Sequence, residues 1–342
     1  MNSKDVEKIS KEIKVKPLPG VVEWSSTGCT VLDIAIANRF PGGIPVGRIV
    51  HAYGGTSTCK SVLAVTLCGY MQRNKKVSYY ADIEHTLDAA FARIYGLDMS
   101  NEKLFRIDHP KTLEELYDDY IADIIMPLKD KSKLDTTPKM IAVDSITALP
   151  ASVELVDAMK DGTYGTMRAK QMSKGMRKYI FPLAESNTTL LCIDQTRDNI
   201  GLGRQEVTSG GRALQFYSSV QIYLKMDQKI ENSAGKVIGN WVKFVIDKNK
   251  VGPPLREGRF RILYDYGLDD ISSNLYFLSE CQNGPQKAKQ KTAMIEYLGQ
   301  KSKMSTAVAY VEENNLEAEL QKDVWELWQE VYKTEERKQR IW

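Results

Sequence analysis

Short apolar runs punctuate the chain at Ile49 to Tyr53, Val77 to Ala81, Met140 to Val143 and Leu190 to Ile193, each bounded by polar turn residues. Runs of this length without alternation predict strands covered on both faces. The stretches between them read as helices: Val62 to Met71 is one, and Thr112 followed by Glu115 forms a capping box that opens another through Tyr120. Strands alternating with helices predict an α/β fold with a mostly parallel sheet. Val220 to Leu224, Trp241 to Ile246 and Phe260 to Tyr264 follow without long helices between them, which predicts an antiparallel extension of the same sheet. Ahead of all this, Ser3 to Lys16 places Val6, Ile9 and Ile13 on one narrow stripe of a charged helix that needs a partner, and Pro17, Pro19 and Gly20 end it. After Tyr266 the periodicity weakens, and a Gly/Gln/Lys stretch from Gln282 to Lys291 leads to a final α-rich unit. The expected organisation is an arm over 1–24 that contacts another protomer, a core over 25–270 and a small lobe over 271–342.

Composition narrows the class. The chain has 342 residues, 42% hydrophobic and 27% charged, enough for one large core with appendages. A net charge of +3 is too mild to mark a nucleic-acid binder, so any such reading rests on where the cations lie. Five cysteines with no Cys-x-x-Cys pair argue against a disulfide framework or a zinc site and for a reducing compartment. No apolar run approaches the roughly 18 residues of a membrane span, and Met1 to Lys8 is no signal peptide. A cytoplasmic protein with no membrane partner is expected.

The chemistry begins where Ile49 to Tyr53 feeds a glycine-bearing turn that opens directly into a helix. Gly54, Gly55, Thr56, Ser57, Thr58, Cys59, Lys60, Ser61 and Val62 keep the spacing of a P-loop, with Cys59 where a second glycine is expected. That order suits a polyphosphate: backbone N–H groups and a helix N-terminus surround it, Lys60 reaches its outer oxygens and the Ser61 hydroxyl holds Mg²⁺. A side chain at position 59 requires a negative φ and a Cβ turned from the phosphates, and a thiol beside Lys60 at a helix start is expected to have a lowered pKa. Ligands of open α/β sheets sit at the carboxyl ends of the strands, and those ends carry Asp82, Glu84 and His85, then Asp144 and Ser145, then Asp194 and Gln195. Asp144 fits a Mg²⁺ ligand, Glu84 a base for the attacking water, and Gln195 a sensor of the terminal phosphate.

Ser26-Thr27-Gly28, Leu32-Asp33-Ile34-Ala35, Gly47-Arg48-Ile49-Val50, Glu84-His85-Thr86-Leu87-Asp88, Val143-Asp144-Ser145, Met176-Arg177-Lys178, Gln195-Thr196-Arg197, Gly210-Gly211-Arg212-Ala213-Leu214 and Lys248-Asn249-Lys250 resemble, in collinear order, the RecA recombinases. The resemblance covers roughly Val22 to Tyr266, and the altered P-loop glycine points to the phage, UvsX-like branch. It implies a RecA-like P-loop NTPase core that binds ATP and Mg²⁺. It also implies adenine contacts at Asp88, Phe91 and Tyr264, and a pair, Lys248 and Lys250, that reaches the neighbouring subunit's nucleotide. Implied partners are single-stranded DNA, double-stranded DNA, further copies of the chain in a helical filament, a loader or mediator, and a single-strand-binding protein.

Two loops carry the expected DNA contacts. Residues 159–167 lead, through Tyr164 and Met167, into a helix bearing Arg168, Lys170, Lys174, Arg177 and Lys178; the second loop holds Arg197, Ile200, Arg204, Gly210, Gly211 and Arg212. Cations on flexible loops track phosphates without reading bases, and Tyr164 or Ile200 suits a wedge between them. The second loop lacks an aromatic, and the last ten residues are of mixed charge where bacterial relatives carry an acidic tail. Lys287, Lys289, Lys291, Lys301 and Lys303 read either as a patch for duplex DNA or as a solvated face. The expected function is ATP-dependent DNA strand exchange by a DNA-dependent ATPase. Its rivals are a nucleotide-binding structural filament that hydrolyses poorly and a ring helicase of the same superfamily. The helicase is disfavoured by a Lys-x-Lys pair where an arginine finger belongs.

Overall fold

In the strand Lys139–Asp144, Met140 and Ala142 enter one apolar cluster while Ile141 and Val143 enter another. The same division recurs at Thr188–Asp198, where Leu191 and Ile193 face one way and Leu190 and Cys192 the other. Period-two geometry thus sorts a continuous apolar run onto both faces of a central sheet. The computed structural model describes residues 20–21, 23–125, 137–156, 164–198, 206–208, 211–284, 288 and 294–333. The arm helix expected over Ser3 to Lys16 lies outside them, as do Ile200, Arg204, Gly210, Lys287, Lys289, Lys291 and the last nine residues.

In chain order come β1 (Trp24–Ser25), α1 (Thr30–Ala37), β2 (Ile44–Pro45), β3 (Ile49–Gly54), α2 (Lys60–Arg73), β4 (Ser78–Asp82), α3 (Ala89–Ile94) and β5 (Phe105–Asp108). A π-helical stretch, Glu115–Ile121, runs into α4 (Ala122–Ile125). Then follow β6 (Lys139–Asp144), α5 (Ser152–Val156), α6 (Tyr164–Glu185), β7 (Thr188–Asp198), β8 (Glu206–Thr208) and α7 (Gly211–Tyr217). The rest is β9 (Val220–Glu231), β10 (Val237–Asn249), β11 (Glu257–Leu263), β12 (Gly267–Asp269), α8 (Asp270–Asn283), β13 (Met294–Tyr297), β14 (Gln300–Lys303), α9 (Met304–Glu313) and α10 (Glu317–Val331). The main sheet has ten strands in the order β12-β11-β10-β9-β3-β7-β6-β4-β5, with β8 paired to β7 alone. From β9 to β5 the pairs are parallel, and from β9 to β12 they are antiparallel. The mostly parallel sheet with an antiparallel extension is therefore present as expected.

Some elements depart from the apolar pattern for identifiable reasons. β5 was hidden because only Phe105 of its four residues is buried, as befits a charged edge strand. The capping box at Thr112 forms in altered shape: the Glu115 N–H donates to Thr112 Oγ1 (3.1 Å), but the Glu115 carboxylate accepts from Lys111, one residue upstream. The helix it opens is π-helical, and a Cβ at Gly175 of α6 would collide with the Tyr117 ring packed on it. α8 escaped the periodicity because Ser272, Ser273, Asn274 and Ser279 are buried among its apolar residues. Its start is marked instead by Asp269, which accepts from the Ser272 N–H (2.9 Å) and pairs with Arg261 (2.9 Å).

Residues of α8, β13, α9 and α10 share one hydrophobic cluster with α1, α2 and the sheet. A single carboxylate ties these pieces. Asp270 accepts from the Thr30 N–H (2.7 Å) and hydroxyl (2.8 Å) at the head of α1, from Asn274 (3.1 Å), and from Gln321 of α10 (2.9 Å).

Asp33 of α1 is 5% exposed and accepts from Thr27 N–H (2.8 Å), the Thr27 hydroxyl (2.6 Å) and the Ser26 hydroxyl (2.5 Å). Burial pushes its carboxyl up to about 7 against the pull of these three donors, and the nearby Asp270 charge adds to the rise. Because the folded state holds this proton more tightly than the unfolded chain, the contribution is present below the ordinary carboxylate range and is lost as pH climbs through 7. Thermal melts from pH 5 to 8 are expected to show a falling midpoint in the wild type and a flatter dependence in Asp33→Asn. Equal slopes would remove Asp33 as the cause.

Candidate nucleotide-binding site

The P-loop residues leave β3 and enter α2 as the spacing requires. Gly54 sits against the sheet so closely that a Cβ there would overlap the Leu224 carbonyl, while Gly55 has open space around its Cα. Thr56 and Ser57 are exposed and Thr58 is buried, its hydroxyl donating to the Gly55 carbonyl (2.9 Å). Lys60 begins α2, and its ammonium donates to Gly54 O (3.0 Å), Gly55 O (2.6 Å) and Thr58 Oγ1 (3.3 Å). The lysine is curled back into its own loop. Val62 is buried in the core.

Cys59 differs from both expectations set for it. Its φ is +67°, in the left-handed region, which costs a residue with a Cβ about 1 kcal/mol. Its side chain packs against the apolar cluster that also takes Leu87 and Phe91, so the backbone keeps a glycine-like turn while the thiol is turned into the core. Burial pushes the thiol up to about 11, overriding the Lys60 charge that pulls it down. The expected lowering is thus reversed, because desolvation outweighs the neighbouring cation.

Parallel register assembles the rest. Gly54 pairs with Gln195 across β3 and β7, and Asp82 with Asp144 across β4 and β6. Asp144 is 3% exposed, accepts from the Tyr80 hydroxyl (2.7 Å) and takes a further hydrogen bond from Ser61. Burial raises its carboxyl above the usual range although both hydroxyls pull it down, and burial lowers Lys60 although Asp144, Glu84 and Asp194 pull it up. The Gln195 side-chain amide donates to the Glu84 carboxylate (2.9 Å), so these two residues, 111 positions apart, are in contact. Sequence reasoning missed Tyr80, whose aromatic character reads as core, and the fully buried His51–Asp194 pair (3.3 Å) beneath Gln195.

Asp88 caps α3, accepting from the Ala90 (2.8 Å) and Phe91 (2.9 Å) N–H groups with one oxygen. Phe91 is half-buried and packs on Tyr95 (4.9 Å between rings). The Tyr264 hydroxyl accepts from Asn240 (2.7 Å), leaving a ring 43% exposed. Phe91 and Tyr95 share an apolar cluster with the P-loop residue Cys59. Lys248 lies on β10 and donates to Gln215 O (2.6 Å) and Phe216 O (3.0 Å), carbonyls at the end of α7. Burial lowers its ammonium, as does the adjacent Lys250, which is exposed.

Along α6, Met167, Lys170, Lys174, Arg177 and Lys178 are exposed, as is Arg212 on α7. Tyr164 opens α6. Arg168 donates to the Thr147 carbonyl, Arg177 bonds the Tyr217 phenol, and Lys178 pairs with Asp118 (2.6 Å). Arg197 lies on β7, in register with Val207 of β8, and Gly211 starts α7; the ends of the second loop are therefore regular structure. Lys301 and Lys303 are exposed on β14 opposite Glu296 and Met294.

The donor set suits a magnesium nucleotide. Asp144 and Ser61 offer hard oxygens, a buried carboxylate raised by desolvation gains from a cation, and no larger acidic cluster is seen among the described residues. The family of RecA N-terminal domains matches residues 10–269. The chain is 35% identical over 252 residues to Protein RecA of Colwellia psychrerythraea, covering 73% of this chain and 68% of that protein. It is 31% identical over 297 residues to Protein RecA of a Synechocystis species (86% and 78%), and 33% over 249 residues to that of Staphylococcus aureus (72% and 67%).

Iodoacetamide at pH 7.5 is expected to label Cys59 slowly, with the rate climbing as pH approaches 11, read by peptide mapping. Fast labelling of Cys59 at neutral pH would contradict the burial of its thiol.

Proposed function

The chain belongs to the RecA family, and we propose that its strand-end residues run the family's chemistry in the roles assigned from the sequence. It is a DNA-dependent ATPase that carries out ATP-dependent homologous recombination, assembling with further copies on single-stranded DNA and exchanging strands with duplex DNA. The observation that carries the site reading is the Glu84–Gln195 contact at 2.9 Å above the P-loop lysine.

In this reading Lys60 leaves the Gly54 and Gly55 carbonyls to grip the β/γ oxygens of ATP, a short swing of a flexible stem. Ser61 and Asp144 would hold Mg²⁺, which would supply charge neutralisation at the phosphates. Tyr80 holds one oxygen of Asp144 and so fixes which face of the carboxylate meets the site. Glu84 takes a proton from the attacking water, and Gln195 exchanges its bond to Glu84 for one to the terminal phosphate, pulling on the second DNA loop. Asp88, Phe91 and Tyr264 bound the adenine. Lys248 and Lys250 reach the next subunit's nucleotide, which makes ATP binding and polymerisation one linked equilibrium. Met167, Arg168, Lys170, Arg177, Arg197 and Arg212 line the path of the single strand, together with Tyr164, Ile200, Arg204, Gly210 and Gly211. The domains are read as arm 1–24, core 25–270 and lobe 271–342, and the protein as a cytoplasmic, phage-type (UvsX-like) member that works with a mediator and a single-strand-binding protein. No helix among the described residues is long and apolar enough to cross a membrane. Cys59 in place of glycine supports the phage assignment.

Phosphate release with and without single-stranded DNA, combined with joint-molecule formation between homologous DNAs, tests the reading. Glu84→Gln is expected to keep ATP and DNA binding while turnover drops about a hundredfold or more. Unchanged turnover would remove Glu84 from its role. Lys248→Ala is expected to lose ATP-dependent filament assembly in micrographs while monomer ATP binding persists; normal filaments would refute the cross-subunit role.

A further inference from the structure

Glu84 leaves β4 in a turn that is held from two sides. On the β6 side, the Asp144 carbonyl accepts from the N–H groups of Ile83 (2.8 Å) and Glu84 (3.4 Å). On the β5 side stands a pair of imidazoles. His109, the first residue after β5, has its Nδ1 2.8 Å from the Asp82 carbonyl, so Nδ1 carries the proton and donates. His85 lies on it with ring centroids 4.5 Å apart and planes 16° from parallel. His85 reaches this stack through a φ of +53°, a left-handed turn directly after Glu84 that costs about 1 kcal/mol unless something holds it. The Asp82 carboxylate closes the turn from the far side by accepting from the Thr86 (3.2 Å) and Leu87 (3.1 Å) N–H groups.

We infer that His109 is a positioning residue for Glu84: its ring, fixed to the end of β4, is the platform on which His85 stacks, and the stack holds the strained turn that aims the Glu84 carboxylate at Gln195. Neither imidazole needs to touch ATP. The P-loop grips the phosphates from β3 and α2, whereas the stack bears on the turn between β4 and α3, so loosening it moves the base without moving the grip. The two rings are exposed, so replacing either leaves the core intact. This inference rests on the reading of Glu84 as the base.

The test is steady-state ATP hydrolysis on single-stranded DNA for the full chain and for His109→Ala, His109→Phe and Glu84→Gln side by side, with binding of a nonhydrolysable ATP analogue measured on each. His109→Ala is expected to lower kcat about tenfold with KM and analogue affinity within about twofold, since a misplacement of an ångström or less carries losses of this order. His109→Phe, which keeps a ring to stack on but loses the Nδ1–H bond to the Asp82 carbonyl, is expected to recover part of that loss. A wild-type kcat in His109→Ala beside an inactive Glu84→Gln overturns the positioning role, and so does a loss that His109→Phe leaves unrepaired. Full activity in Glu84→Gln is a different failure, of the base assignment itself.

Discussion

Parallel register is the constraint on which the site depends. It sets Gly54 level with Gln195 and Asp82 level with Asp144, so polar residues that terminate three apolar strands arrive at one edge of the sheet together. The arrangement is electrostatically unfinished by itself. Burial drives Lys60 and Asp144 toward their neutral forms; nearby carboxylates oppose that drift at Lys60 and the Ser61 and Tyr80 hydroxyls oppose it at Asp144, and the ammonium settles on carbonyl oxygens of its own loop. A polyanion carrying a divalent cation would supply what each lacks.

Legibility followed the strength of the period. Strands buried on both faces were visible because Met140 to Val143 and Leu190 to Ile193 are apolar throughout, and the P-loop because its spacing is tied to backbone geometry. Edge and capping elements were not: Arg106 and Asp108 disguise β5, and buried serines disguise α8. At the site, residues just past a strand end could be named in advance, whereas side chains that act sideways could not. Tyr80 reads as another aromatic of a core strand, and its bond to Asp144 depends on a partner 64 positions away. Cys59 shows the limit most clearly. Sequence proximity to Lys60 argued for an acidic thiol, but the left-handed turn rotates that thiol into apolar packing and desolvation decides the sign.

The cations of α6 differ in their surroundings. Arg168, Arg177 and Lys178 have partners in Thr147, Tyr217 and Asp118, and Lys170 and Lys174 are exposed on the same helix. Under the proposed reading, a nucleic acid meeting this face would exchange existing contacts at Arg168, Arg177 and Lys178.

Asp270 has a wider reach than its size suggests. Donors from positions 30, 274 and 321 end on one carboxylate, which rivets the helix that opens the core to the helix that closes the described chain. Removing that carboxylate would strip a partner from both helices at once, so one substitution at position 270 would reach both ends of the described chain.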